Sequence, residues 1–397
     1  MTSLPDVGSA VDPLEIVRLR DRHGILSVYV DADPREQSTS RPAWIVAVEN
    51  GLDEIRDRVK SEGDRARWTA VFERLEALEP DLAALVDPRA PGRGRALFAT
   101  VEGGDVRRLA VQVPLSNHVS LGGIADLAPL MVALDRGRPA GLVVVSLASA
   151  VVLEQHLGGV DDLLEIPLEP ETSDWREMKG PAAANPALAQ HAAPQRDRFE
   201  RRIEEHRGRL LEEASSRLAQ LAASRAWDRV VVAGDARLTH AVSSAFERDG
   251  RDVAVVDRTF PALSAAALAE ALAPELEAAN VRREARLIER ARDAALSGGP
   301  GALGLADVLT ALHDARVGHL LFDVRRAYRG ARTPDGRLVP EGVVPPGVVA
   351  GELVAERSLS ARMIERALAI DARVTPLSAA GAGALGADDG VAALLRW

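Results

Sequence analysis

The sequence predicts an α/β protein built from more than one domain. Runs of β-branched and other apolar residues, such as Ile25–Val30, Gly141–Ser146 and Arg229–Gly234, indicate buried strands. Between such runs, Trp44–Val59 and Gln195–Ala223 place apolar residues at helical spacing, typical of helices that pack on one side. At 397 residues the chain is long enough for two or three domains, each with its own core.

The first segment, residues 1–126, is expected to form an α/β domain. Its predicted elements are a strand at 25–30, helices at 44–59 and 66–85, and strands at 96–100 and 108–113. Asp31 and Asp33 follow the first strand and could hold a metal ion as paired carboxylates. Aspartates before Pro34 also suit chain reversal and capping, which is the interpretation favoured.

The second segment, residues 127–259, is expected to form a mixed sheet covered by helices. Its predicted elements are a tight hairpin of strands at 141–146 and 150–154, an edge strand at 162–167, a long helix at 195–223, a strand at 229–234 and a helix at 238–246. Antiparallel strands followed by a helix and another strand predict a sheet with both kinds of pairing.

The third segment, residues 260–397, is expected to be a three-layer α/β domain. Its predicted elements are helices at 264–273, 274–296, 305–315 and 360–370, and strands at 317–323, 373–375 and 391–395. Pro274 is interpreted as a first-turn residue that starts the second of these helices. The turn chemistry of Thr333–Arg337 predicts a hairpin insertion or loose excursion through Pro346.

Composition and motifs exclude several classes of function. The chain has no cysteine, so disulfides, thiolate zinc sites and cysteine nucleophiles are excluded. A net charge of −10 argues against coating nucleic acid by bulk electrostatics, so any RNA contact must be local. HExxH, P-loop, dinucleotide-fold and GxSxG motifs are all missing from the sequence, and no metal site or cofactor is expected. The acidic, proline-containing start and the lack of a long apolar run predict a cytoplasmic protein without a membrane span.

A long loop at about 171–194 runs into the arginine-rich start of the central helix. Unstructured connections usually stay below about 12–15 residues, so a contact role or disorder is expected. The helix carries arginines mostly off its apolar stripe, interspersed with acids: Arg196, Arg198, Arg201, Arg202, Arg207 and Arg209. They are interpreted either as a solvated face with i,i+4 ion pairs or as a phosphate-binding first turn.

Several separated stretches resemble the eRF1 and Pelota family. The closing Gly390–Trp397, an apolar run with an Arg-aromatic end, is similar to the family's last block, as are Leu305–Leu309 with Val317–Phe322. In the centre, Gln195 and Arg198–Arg201 resemble the residues that follow the family's Gly-Gly-Gln. The N-terminal strand is similar to bacterial members of this superfamily, the bacterial archaeo-eukaryotic release factors (baeRF), which include the Balon-like hibernation factors.

The resemblance implies three domains. They are an α/β N-terminal domain at 1–126, a ribonuclease-H-like mixed-sheet domain at 127–259 with the loop at 171–194, and an L7Ae-like three-layer α/β domain at 260–397.

The family's catalytic tripeptide is missing from this sequence. The aligned residues are Ala193-Pro194-Gln195 or, with a shift, Leu188-Ala189-Gln190. Alanine resists positive φ, and proline fixes φ and has no N–H, so the backbone geometry used for hydrolysis is not expected. Gln195 and Gln190 are the candidate catalytic residues if hydrolysis persists.

The resemblance also implies RNA contacts. Trp175 and Lys179 would stack on bases and meet phosphates together with Arg196, Arg198, Arg201 and Arg202. The alternative is a mobile surface loop with Trp175 packed against its own domain.

By resemblance, the favoured function is occupancy of the A site of idle or stalled 70S ribosomes, in hibernation or rescue, without catalysis. Expected partners are rRNA, tRNA and a translational GTPase such as EF-Tu. One alternative is a rescue enzyme that hydrolyses peptidyl-tRNA through Gln195 or Gln190. A ribosome-independent RNA hydrolase is disfavoured, since the core strands offer Glu154 but no cluster of metal-binding carboxylates.

Overall fold

The computed structural model describes residues 12–36, 41–169, 192–261, 263–356 and 358–397, with only the backbone for residues 192–200. The chain forms two compact units. Unit 1 consists of Met1–Gly137, Leu157–Gly159 and Arg283–Trp397, and unit 2 of Arg138–His156 and Val160–Arg282. Helices and strands are mixed in both units, so the predicted α/β class is confirmed. The domain boundaries 1–126, 127–259 and 260–397 stay a prediction.

The N-terminal part of unit 1 is an antiparallel sheet covered by helices. In chain order its elements are α1 (Pro13–Val17), β1 (Ile25–Asp31), α2 (Ala43–Ser61), α3 (Arg65–Ala77), α4 (Glu79–Val86), β2 (Gly94–Thr100), β3 (Val106–Val111), β4 (His118–Gly122) and α5 (Ala128–Arg136). The strand order is β3–β2–β1–β4. The single helix predicted at 66–85 was wrong: α3 ends and α4 begins around Leu78, because Pro80 suits a first turn but not a helix interior.

Unit 2 is a sheet with helices on both faces. Its elements are β5 (Ala140–Val145), β6 (Ser149–His156), β7 (Gly159–Pro167), α6 (Ala192–Ser224), β8 (Arg229–Gly234), α7 (Ala236–Arg248), β9 (Asp252–Val256) and the first part of α8 (Ala265–Leu296). The order is β7–β6–β5–β8–β9, with β5, β8 and β9 parallel and β5 and β6 antiparallel. The predicted hairpin and mixed pairing are confirmed.

Alternate residues of these strands face opposite helices, as the two-residue period of a strand requires. Val143 and Val232 pack in a core with α6 and α7, whereas Leu142 and Val231 pack in a second core with Leu272 of α8.

The C-terminal part of unit 1 follows α8. Its elements are β10 (Gly301–Leu303), α9 (Leu305–His313), β11 (Val317–Asp323), β12 (Gly330–Arg332), β13 (Leu338–Pro340), β14 (Val354–Glu356), α10 (Leu359–Ala369), β15 (Arg373–Leu377), α11 (Ala379–Ala384) and β16 (Val391–Leu395). One sheet has the order β10–β16–β11–β15 and a small sheet has the order β13–β12–β14. The predicted turn at Thr333–Arg337 closes the β12–β13 hairpin, with the Thr333 N–H donating to Arg337 O at 2.9 Å.

Pro274 does not begin a new helix, as the sequence suggested, but lies inside the continuous helix α8. Leu272 and Leu276 on either side of it are buried in the same apolar core, which holds both halves of the helix against the sheet. The proline itself is exposed, so the carbonyl it leaves without a helical donor, that of Glu270, lies on the solvent side.

The two ends of the chain share one hydrophobic core within unit 1. Tyr29 and Phe98 from the N-terminal sheet belong to the same buried cluster as Phe322, Leu359 and Met363 from the C-terminal part. Among the described residues, no helix is long and apolar enough to cross a membrane.

Candidate functional site

Helix α6 is anchored to unit 2 by only part of its length. Leu211, Ala214, Leu218 and Ala222 are buried against the sheet and α7. None of the described side chains from Arg201 to Leu210 is fully buried. The 19 residues before Leu211 correspond to about 28 Å of helix, at about 1.5 Å per residue. Among the described side chains of α6, full burial therefore begins at Leu211, and the segment before it, residues 192–210, is called the arm.

The topology gives this arm a direction. Helix α6 ends at Ser224, and the chain then enters β8 at its amino end, Arg229. Helix α7 starts after the carboxyl end of β8, and both helices pack on the same face of the sheet. The amino-terminal half of α6 consequently points toward the carboxyl edge of the parallel strands. This edge is where ligands bind in open α/β sheets.

The aligned tripeptide Ala193-Pro194-Gln195 lies within the first turns of α6. The loop predicted to run through Pro194 therefore ends earlier than expected. The first N–H groups of a helix have no intrahelical acceptor, so a proline near the start is tolerated. Gln195, Arg196 and Arg198 are thus placed on a helix by their backbone, while Gln190, Trp175 and Lys179 lie outside the described residues.

Arginine is in excess at the start of the arm. Arg196, Arg198, Arg201 and Arg202 stand there against two acids, Asp197 and Glu200. The side chains of Arg201 and Arg202 are both exposed. Farther along, Arg207 and Arg209 are matched by Glu204 and Glu205, and Arg209 Nη2 lies 3.2 Å from His206 Nδ1. Local positive charge is therefore concentrated at the end of α6 farthest from its anchor.

The predicted apolar stripe of α6 is partly correct. Ala214 and Leu218 are buried as expected, and Leu210 and Leu221 pack at the edge of the core. The helical periodicity of Phe199, Ile203, Leu210, Ala214, Leu218 and Leu221 predicts a stripe that includes Ile203, but Ile203 is only half-buried. The side chain of Phe199 lies outside the described atoms. Helical spacing identified the face but not the point where the core ends.

A polar cluster that the sequence reasoning missed lies at the carboxyl edge of β8 and β9. Thr239 Oγ1 donates to Asp257 Oδ1 at 2.7 Å, and His240 Nε2 lies 4.0 Å from Asp257 Oδ2. The Arg258 guanidinium lies 4.5 Å from the centre of the Phe260 ring. Exposed Arg258 adds a cation at the edge toward which α6 points.

Gly234 allows the turn that leads into this edge. Its φ is +139°, and a Cβ there would lie 1.8 Å from Val145 O. Asp235 then caps α7 by accepting from the Arg237 N–H at 2.9 Å. Gly-Asp directly after an apolar strand was the available sequence signal for a strand-turn-helix edge.

Residues 126–278, which include nearly all of unit 2 and the whole of α6, match the family "Bacterial archaeo-eukaryotic release factor family 10". This segment of the chain is therefore similar to a family of bacterial archaeo-eukaryotic release factors. The predicted relationship is thereby confirmed.

The chain is also 20% identical over 238 residues to the uncharacterized protein YocB of Bacillus subtilis, a match that covers 58% of the chain and 84% of YocB. The archaeal translation termination factor aRF1 matches at 18% identity over 97% of this chain and 96% of aRF1, with a TM-score of 0.25. Pelota of Archaeoglobus fulgidus matches at 14% identity over 77% and 79%, with a TM-score of 0.33.

Glu154, the carboxylate that the core strands offer, has a structural role. It is buried and accepts a hydrogen bond from the Trp227 indole Nε1–H at 2.6 Å, with Arg225 at 3.4 Å. Trp227 in turn occupies the space above Gly141, where a Cβ would lie 2.3 Å from the ring. Glu154 therefore provides the hydrogen-bond acceptor for the buried indole N–H of Trp227 in the sheet core.

Other carboxylates are engaged in the same way. Asp31 accepts from Arg93 Nε at 2.8 Å, and Asp33 lies 3.4 Å from Arg93 Nη2. This ion pairing agrees with the structural interpretation of the turn after β1. Among the described residues, no group of histidine and acidic side chains is arranged to hold a metal ion.

Proposed function

We propose that this protein is a translation factor that occupies the A site of idle or stalled 70S ribosomes, in hibernation or rescue. The observation that carries the proposal is the arginine-rich arm of α6 within the segment that matches a release-factor family. A release factor works on the ribosome, where rRNA and tRNA phosphates surround it. An arm with its positive charge at the far end suits such a partner despite the chain's net charge of −10.

The proposed factor binds without hydrolysing peptidyl-tRNA. The helical backbone at Ala193-Pro194-Gln195 supports this, because a first helical turn differs from the extended glycine tip that the family's tripeptide requires. Gln195 then serves as a contact residue of the arm. Trp175, Lys179 and the arginines Arg196, Arg198, Arg201 and Arg202 are the proposed RNA contacts.

The C-terminal segment, residues 260–397, is proposed to engage a translational GTPase, with EF-Tu as the bacterial candidate. Ribosome binding would place the protein in the cytoplasm.

Ribosome binding is tested by sedimentation of the purified full-length protein with 70S ribosomes at about 100 mM salt, near physiological ionic strength. We expect a pellet fraction that saturates with ribosome concentration and falls as salt rises, because phosphate contacts release counterions. If the protein remains in the supernatant at every ribosome concentration, the proposed function is wrong.

Catalysis is tested separately on stalled complexes carrying labelled peptidyl-tRNA. We expect no release of peptide above the rate without protein. Release by the wild type that is lost in Gln195→Ala would instead establish the hydrolase alternative.

A further inference from the structure

A groove of 520 Å³ opens on unit 1. One wall is formed by Ser120–Ile124 at the end of β4 together with the ends of α2 and α3, and the other by β14 and the start of α10. Ile124 and Ala361 contribute apolar surface to its lining. Its size lies in the usual range for small-molecule sites, about 300–1,000 Å³.

Three guanidinium groups line the groove, and each is held in place by the protein. Arg58 Nη2 donates to Leu121 O at 2.9 Å. Arg67 Nε donates to His23 O at 3.1 Å, and its Nη1 pairs with Glu62. Arg362 contacts Glu365 at 2.9 Å. Guanidinium groups fixed in this way need little ordering when an anion binds.

The acids of the groove are already engaged. Asp126 lies 3.0 Å from His118 Nε2 and accepts from the Ala128 N–H at 3.1 Å. Glu356, 3.2 Å from Arg362 Nε, is shared with Arg332 at 3.3 Å.

Positive charge is in excess around Arg362. Glu365 is shared between Arg362 and Arg20, which lies 2.7 Å away. Arg20, Arg332 and Arg362 together therefore outnumber their two carboxylates, Glu356 and Glu365, and of these five residues Arg362 and Glu356 line the groove. Burial alone would lower the pKa of Arg362, but its hydrogen bond with Glu365 and the charges of Glu356 and Glu365 raise that pKa, so the side chain stays charged.

The rim beside Arg362 is open. Gly123 is exposed, and a Cβ there would meet only Arg362 Nη2, at 3.6 Å. Ser358 precedes α10 without a side-chain cap hydrogen bond, so the positive end of this eleven-residue helix adds to the field of Arg362. Positive charge and open space thus coincide at one end of the groove.

We propose that the groove binds the phosphate of a nucleotide, at Arg362 and the start of α10. The sugar and base occupy the remaining volume against Ile124 and Ala361, beside Arg58 and Ser120 of the lining. The nucleotide is either free or the phosphorylated end of an RNA. This site is separate from the arm of α6 and does not depend on ribosome binding.

Isothermal titration calorimetry on the full-length protein tests the proposal. The probes are AMP, GDP, inorganic phosphate, and a short RNA with either a 5′-phosphate or a 5′-hydroxyl. Saturable binding by AMP or GDP assigns a free nucleotide, and binding by the phosphorylated RNA alone assigns an RNA end. If none of these binds, or if inorganic phosphate binds as well as every nucleotide, the proposal is wrong.

Gly123→Asp places a carboxylate beside Arg362 without removing a residue that supports the fold. We expect it to weaken nucleotide binding about tenfold or more, through like-charge repulsion with the phosphate. Gly123→Ala adds only a methyl group and should bind like the wild type. Gly383→Asp, on an exposed and uncrowded position of α11, controls for the added charge. Equal binding by Gly123→Asp and Gly383→Asp would overturn the assignment, provided both melt like the wild type.

Discussion

Single side chains decide which charges of this protein are available to a partner. Glu154, Asp31 and Asp33 are all engaged by donors of their own unit, and they stabilise the fold. Arg201 and Arg202 are exposed at the outer part of α6. Exposure therefore distinguishes the residues proposed to bind RNA from the carboxylates that hold the fold.

Replacing Arg201 and Arg202 together by glutamate should weaken ribosome binding about tenfold or more, because two phosphate contacts are lost. The slope of log affinity against log salt should fall by about 2, since each contact contributes about 0.9. Sedimentation at several salt concentrations measures both quantities.

Arg217→Glu is compared with Arg201→Glu alone, because the two variants change the net charge equally and Arg217 is exposed on the anchored half of the same helix. An equal loss in Arg217→Glu would show that net charge, and not the arm, governs binding.

Glu284 makes the stability of unit 1 depend on pH. Burial raises its pKa above the ordinary 4.5, although hydrogen bonds from the Ser378 hydroxyl at 2.6 Å and N–H at 2.9 Å oppose the shift. Because the folded pKa is raised, the stability that Glu284 contributes is fully present below pH 4.5 and is lost as pH rises through the folded pKa.

The wild type should therefore lose more free energy of unfolding between pH 4 and pH 7 than Glu284→Gln does, in urea titrations. Glu289→Gln, on the exposed side of α8, should follow the wild type. Parallel curves for wild type and Glu284→Gln would contradict the assigned effect of burial.

The observed helices α6 and α8 each differ from what the sequence predicts, because of how they pack in the tertiary structure. In α6 the periodicity continues to Ile203, yet burial starts at Leu211, where sheet and α7 are in reach. In α8 the sequence predicts a helix boundary at Pro274, but the helix continues through it because the apolar residues on either side are buried in one core. Helix ends are thus set by the available packing surface as well as by local propensity.

Pro274→Ala should stabilise the protein by about 1–3 kcal/mol. It restores a helical N–H donor to the Glu270 carbonyl, and this gain exceeds the lost rigidity of the unfolded chain. Equilibrium unfolding in urea measures the change. A destabilised Pro274→Ala variant would mean that α8 is not continuous at this position.

At the scale of the whole molecule, the two compact units are not consecutive segments of the sequence. The first 137 residues and the last 115 residues belong to one unit, and they bury Tyr29, Phe98, Phe322 and Met363 in one cluster. Neither end of the chain completes this cluster alone.

A fragment of residues 138–282 should fold cooperatively by itself, because it carries all of unit 2. A fragment of residues 1–126 should expose apolar surface and unfold without a sharp transition, because part of its core is supplied by the C-terminal segment. Circular dichroism melts and dye binding distinguish the two. Cooperative melting of fragment 1–126 would instead support an independent N-terminal domain.

The sequence by itself determined the α/β class, most of the buried strands, the arginine-rich helix and the relationship to release factors. Apolar β-branched runs such as Ile25–Asp31 and Val391–Leu395 have one stable environment, the interior of a sheet, so local pattern was sufficient. The short strand β4 (His118–Gly122) was not predicted, although its polar and apolar residues alternate, because it is only five residues long and runs directly into the turn-forming pair Gly122-Gly123.

Only the tertiary structure decided where α6 leaves the core, which chain segments share a unit, and where cationic residues meet. Arg58, Gly123 and Arg362 are far apart in the sequence and form one groove because two sheets and α10 bring them together. Periodicity reports which face of an element is apolar. Which elements meet depends on long-range packing, which no local pattern encodes.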